Sequence, residues 1–207
     1  MKSIKIIAAL SILVTATVLI LSFSLKQKSE QATQEPNPQN QMVNFFVTHG
    51  HCSTPFSGKV QNLVLIQSNR TDQGNPLENM RISFNVNPRT FVVCRGEGLT
   101  EKVRKPGLFY NEDGDVMSFR TTEVFTMGID WYQIHGKLTI KGVERNVTLF
   151  ASGIRNPNES ESEYLVLEGQ FNLMDWGIDY DLIVNGKSDV EPTKMMHLNT
   201  RIDLDKV

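Results

Sequence analysis

The stretch from Trp131 to Ser152, WYQIHGKLTIKGVERNVTLFAS, constrains the fold more than any other part of the chain. Every second residue, Tyr132, Ile134, Gly136, Leu138 and Ile140, falls on one side, and Gln133, His135, Lys137, Thr139 and Lys141 fall on the other. Strand side chains point alternately to opposite faces, so this pattern predicts a strand with one apolar and one wet face. Lys141-Gly142 interrupts it, and Val143, Val147, Leu149 and Ala151 resume the apolar face. A two-residue loop there pairs Ile140 with Val143, Leu138 with Arg145, Gly136 with Val147 and Ile134 with Leu149. A slip of one residue would set Leu149 among polar partners, so the register is well specified. Arg145 is the polar exception, and its place beside the turn lets it reach solvent.

The same period recurs along the chain. Met80, Ile82, Phe84 and Val86 alternate with polar residues, as do Leu165, Leu167, Phe171 and Leu173, and Met196, Leu198, Ile202 and Leu204. Met117, Phe119, Phe125 and Met127 share one parity, with Thr121 and Glu123 interrupting it. Turn-forming residues separate the runs at 72–76, Pro88, 111–114, 156–158 and 184–189. One short helix is expected within Gly98 to Lys105, before Pro106-Gly107. Antiparallel strands with one apolar face each must close a core as a sandwich or a barrel. Seven or eight strands in about 160 residues suit a barrel able to hold one small ligand. Periodicity does not decide between a solid and a hollow interior. Gly136 and Gly169, both on the inward parity, would leave room for a bore or relieve strain at bends.

The ends of the chain read differently. Ile6 to Leu25 is a run of twenty uncharged residues preceded by Lys2 and Lys5. As a helix it would span roughly 30 Å, the thickness of a bilayer core, and it exceeds a secretory apolar region. Residues 1–25 are therefore read as a signal anchor, with a cleaved signal peptide as the alternative; both export the remainder of the chain. Residues 26–41 contain Ala32 as their sole apolar residue and read as a disordered linker, so the folded domain spans 42–207. Lys and Arg number 21 against 23 Asp and Glu, a net charge of −2 that gives no footing for nucleic acid. Cys52 and Cys94 form an even pair in an exported chain, which favours a disulfide over two buried thiols.

Several segments resemble the YceI-like family. HGKLTIKGVERNVTLFASG is similar to that family's signature hairpin, G-x-L-T-(I/L)-(K/H)-G-V-(T)-(K/R)-x-V-T-L. FNLMDWGID resembles its strand ending in a D-F-G-I turn, with Trp176 in place of Phe. GLFYNEDGDVMSFRTTEV and ISFNVNPRTFVV resemble two further strand segments. The resemblance covers roughly Met42 to Leu204. It implies an all-β, antiparallel, lipocalin-like barrel, exported to the periplasm, that holds a long isoprenoid chain in an apolar cavity. The wall of such a cavity would be Phe84, Phe119, Phe125, Ile134, Leu138, Leu149, Leu167, Phe171 and Trp176. The family's R-D-x-H-L-R run corresponds here to LTEKVR, which keeps only Arg104 and places Lys102 where the His would stand.

Chemistry-bearing patterns are sparse. His49, His51 and Cys52 lie close together, but two imidazoles do not complete a metal site and Gly50 points to a loop. His135 and His197 fall on wet faces. No nucleophile elbow, zincin motif or phosphate loop is present. Asp175, before Gly177, reads as a turn former, and the sequence places no second acid-base group near Asp179 and Asp181. The sequence thus predicts a binding protein that is not an enzyme and needs no cofactor or metal. By the family resemblance its ligand would be an isoprenoid of quinone or polyprenol type, or another long-chain lipid, and its setting the periplasmic face of the inner membrane. Nucleic acid is not a partner, and a homodimer is left open. A non-catalytic periplasmic interaction module with a solid core is the alternative.

Overall fold

The computed structural model describes residues 41–49, 52–66, 77, 79–94, 96–114, 116–155, 162–187 and 193–204. The predicted N-terminal helix and almost all of the linker lie outside them. Among the described residues, no helix is long and apolar enough to cross a membrane.

Nine strands are found among those residues: β1 (Met42–His49), β2 (Cys52–Ile66), β3 (Arg81–Val86), β4 (Val92–Val93), β5 (Met117–Gly128), β6 (Trp131–Ile140), β7 (Val143–Arg155), β8 (Ser162–Asn172) and β9 (Met195–Asp203). They are arranged in the order β1-β9-β8-β7-β6-β5-β3-β2-β4, and β1 also pairs with β2. That last pairing closes eight antiparallel strands into a barrel and leaves β4 as a two-residue rung on β2. Closure removes the sheet edges that an open β-layer would expose.

The β6–β7 hairpin adopts the register its sequence demands. Ile140 faces Val143, Leu138 faces Arg145, Gly136 faces Val147 and Ile134 faces Leu149. Lys141 and Gly142 take φ values of 54° and 72°, the left-handed pair that a two-residue loop between twisted strands requires. Inward residues of β6 are buried throughout. Arg145 is exposed, and its Nε donates to the Asp175 carbonyl at 2.8 Å.

β5 departs from strict alternation. Thr121 faces Gly136, but Glu123, two residues on, faces the adjacent His135, so Thr122 is an extra residue in the ladder. Thr121 Oγ1 accepts from Ile82 N at 3.1 Å and donates to Ile82 O at 3.0 Å, stitching the bulge to β3. One inserted residue turns every later side chain to the opposite face. A second shift at Met127 occurs just before the turn.

Two α-helices, not one, accompany the barrel among the described residues. The expected segment forms α1 (Glu97–Val103), and α2 (Tyr180–Asn185) begins where Asp179 caps Leu182 N at 3.0 Å. A six-residue helix offers too little periodicity to be recognised in sequence, and without it the cap looks like a bare acid. Asp181, also on α2, is buried and accepts from Thr193 N at 2.6 Å and Thr193 Oγ1 at 3.1 Å. Lys102 Nζ donates to the Val184 carbonyl at 2.7 Å and ties the helices together. Antiparallel alternation places both helices, the β1–β2 connection and the β6–β7 turn at one end of the barrel. The start of β1 and the β5–β6 turn lie at the other.

Candidate functional site

The inward faces of the strands enclose one apolar interior, and that interior is the candidate site. Of the nine residues predicted to line it, Phe84, Phe119, Ile134, Leu138, Leu149, Leu167, Phe171 and Trp176 are buried. Phe125 is not. It is 41% exposed, on the outer face, with its ring edge-on to His135 at 5.0 Å. The Thr122 bulge is the reason, since it moves Val124 to the inward parity opposite Ile134 and Phe125 to the outward one opposite Gln133.

Neither inward glycine leaves open space. A Cβ on Gly136 would lie 2.5 Å from Phe119 Cε2 and 2.7 Å from the Arg120 carbonyl oxygen. The Phe119 ring thus covers the backbone of β6, and Phe84 packs against it with ring centroids 5.4 Å apart. Leu149 covers Gly169 in the same way. These glycines therefore leave no room for a bore at their positions; they admit the close approach of a neighbouring side chain.

The helical end is filled by a block of four rings that sequence reasoning did not assign to the site. Phe45 stacks on Phe56 at 5.3 Å, and Phe91 meets Phe45, Phe56 and Phe109 at 5.4, 5.1 and 5.4 Å. Phe45 could have been found from the alternation of Val43, Phe45 and Val47; Phe91 and Phe109 lie in connections, where no period marks them. Arg104, the one matching residue of the family's helical run, braces this block. Its Nε donates to the Phe91 carbonyl at 2.5 Å, and Tyr110 Oη donates to the Arg104 carbonyl at 2.5 Å.

Among the described residues, few polar side chains are buried. Trp176 sits in a 3-10 turn, Leu173–Trp176, edge-on to Phe171 at 6.2 Å, and its indole Nε1 is buried without a hydrogen-bond partner. An unpaired buried N–H costs about 1–3 kcal/mol, which an acceptor on a ligand would recover. Among the described residues, no three His, Cys, Asp or Glu side chains gather as metal ligands do. His135 and His197 lie on the outer face, and Asp175 is exposed in its turn. His51 and the side chains of His49 and Cys52 lie outside the described residues. Cys94 is a free, exposed thiol beside Pro55, so the predicted Cys52–Cys94 bridge is not formed in the structure. β4 sets Cys94 opposite Pro55, three residues along β2 from Cys52, a separation of roughly 10 Å that a disulfide does not span.

Residues 35–205 match the YceI-like domain. The chain belongs to the YceI-like family. The resemblance seen in the β6–β7 hairpin is thereby established over nearly the whole barrel. Solved structures agree at the level of fold. BcnA of Burkholderia cenocepacia superposes with a TM-score of 0.56 at 13% identity, covering 78% of this chain and 94% of that one. The YCEI protein of Campylobacter jejuni gives 0.50 at 13% identity, over 76% and 88%, and a variant of it gives 0.53 at 12%, over 70% and 82%. No curated protein matches the sequence. The YceI-like family is one of isoprenoid- and lipid-binding barrels, generally non-catalytic.

Proposed function

We propose that this chain binds a long apolar lipid, an isoprenoid of the quinone or polyprenol class, inside its barrel at the periplasmic face of the inner membrane. The observation that carries the reading is the inner wall itself. Eight of the nine predicted lining residues are buried, all in one hydrophobic cluster, on the inner side of a closed barrel of a lipid-binding family. A hydrocarbon tail needs only such a surface, each Å² removed from water contributing about 25 cal/mol. Trp176 Nε1 supplies a donor for a carbonyl or hydroxyl at the head of the chain. The apolar run at 6–25 would hold the barrel at the bilayer, raising the effective concentration of a membrane-soluble ligand.

A second reading, an interaction module with a solid core, draws on the filled glycine positions and the four-ring block. Native mass spectrometry of residues 42–207, purified without detergent and then offered quinone or polyprenol, separates the two. Recovery of a stoichiometric isoprenoid supports the carrier. Repeated recovery of an empty barrel that takes up neither compound rejects it and leaves the module.

A further inference from the structure

The β5–β6 hairpin ends in an unusual display of apolar side chains. Ile129, in the turn, is 83% exposed, and Met127 and Trp131 beside it are 49% and 48% exposed. Ile154 on β7 and Ile66 at the end of β2 are exposed at the same end of the barrel. Single exposed apolar residues are ordinary, but several gathered at one projecting tip mark a surface that meets another apolar phase.

The tip is built rather than loose. Asp130 takes a φ of 55°, and its carbonyl accepts from Gly153 N at 2.7 Å. Its carboxylate is clamped by the guanidinium of Arg155, through Nε and through Nη2 at 2.9 Å. That clamp holds the Arg155 pKa above its ordinary value. It also neutralises the one acid of the turn, so the tip presents Met127, Ile129 and Trp131 without an unpaired carboxylate among them. A tryptophan beside aliphatic residues suits the boundary between headgroups and acyl chains, where an apolar ring with a polar N–H is favoured.

The chain's own topology says which phase. β1 runs away from the β5–β6 end of the barrel, so the chain enters it from that side, and in sequence residues 26–41 join it to the apolar run at 6–25. The helical end also exposes Met174 and Leu182, but the linker does not join there. We propose that the β5–β6 tip is a membrane-contact surface, inserting Ile129, with Met127 and Trp131, into the interfacial layer of the bilayer that the N-terminal run enters. The proposal rests on the membrane-tethered reading above and adds the orientation of the barrel, with its helical end away from the lipid.

Trp131 is the natural reporter. The full chain is incorporated into vesicles of phosphatidylethanolamine and phosphatidylglycerol containing a phosphatidylcholine brominated near the carbonyl end of its acyl chains. The Trp131 component of the emission, defined by difference from W131F, shifts to the blue and is quenched by the bromines. In I129D and M127D that quenching is lost, while circular dichroism and the unfolding midpoint stay those of the parent, both positions being exposed. An unquenched Trp131 in the parent overturns the proposal, and so does quenching that survives both substitutions. Copies that associate through this face in vesicles, leaving Trp131 unquenched, assign the patch to a second copy and overturn it as well. Isoprenoid recovered from a chain whose Trp131 is unquenched rejects the contact while the carrier reading stands; quenching of Trp131 in a chain that takes up no isoprenoid upholds the contact and rejects the carrier.

Discussion

The two ends of this barrel solve the same problem in opposite ways. At the helical end, loop residues fold inward: Phe91 and Phe109 close over Phe45 and Phe56, and α1, Arg104 and α2 lock the closure from outside. At the hairpin end, apolar residues stay outside, and one ion pair, Asp130 with Arg155, stiffens the turn that carries them. The difference teaches where stability is concentrated and where surface is kept for contact.

The largest effect expected from this contrast is Phe91→Ala. It removes a ring that touches three others and should cost about 3–5 kcal/mol in chemical denaturation. Ile129→Ser, which also deletes a large apolar side chain, should stay within about 0.5 kcal/mol of the parent. Equal costs would erase the distinction between the ends. Next comes Gly136→Ala, in the middle of the barrel. Its new methyl would meet the Arg120 carbonyl, which is backbone and cannot swing away, so about 1–3 kcal/mol should be lost. Gly169→Ala meets the flexible end of Leu149 and, at 3.2 Å, the edge of the Phe171 ring, with no backbone atom among its nearest contacts, and should cost less, though the space is no larger. The same unfolding curves decide that order.

Smaller effects separate the polar devices of the two ends. Asp181→Ala strands the buried Thr193 N–H and should cost about 1–3 kcal/mol, whereas Asp130→Asn, whose side chain tolerates the left-handed φ, should cost about 1 kcal/mol. The smallest lies on the outer wall beside the β6–β7 turn. Glu144, on the outer face, bonds Lys137 at 2.6 Å and Arg120 at 3.1 Å, and these bonds lower its pKa below the ordinary 4.5. A lowered carboxylate stabilises the fold above its ordinary pKa, and that contribution disappears as the pH falls through the folded value. Comparing the parent with Glu144→Gln, the midpoints should differ above pH 4.5 and converge on the acid side.

How much of the molecule is legible in its sequence depends on the physics of each segment. The β6–β7 register is legible because Gly136, Leu138 and Leu149 each penalise a slip. Alternation misplaces Phe125 because a bulge is written in no residue type: Thr122 is an ordinary strand residue, and only the pairing of β5 with β6 shows it to be extra. The inward wall is otherwise visible from alternation. The four-ring block is half visible, since strands announce their phase and connections do not. Trp176 can be named for its ring, but the solitude of its N–H depends on every neighbour and is not a property of sequence. The Cys52–Cys94 pairing fails for a related reason, because two thiols in a count say nothing about which strand positions they occupy.

β1 lies between β2 and β9, and a bond from Thr200 Oγ1 to the Met42 carbonyl joins residues 158 apart. The cylinder therefore cannot be completed until its final strand has been made and delivered. Until then β1 and β8 remain open borders on a partly assembled sheet, and so distant a pairing slows the search for the native state. A chain that stopped short of residue 195 would keep nearly all of its strands and still offer both borders to its neighbours, which makes the last nine residues of β-structure the guard against aggregation for everything before them.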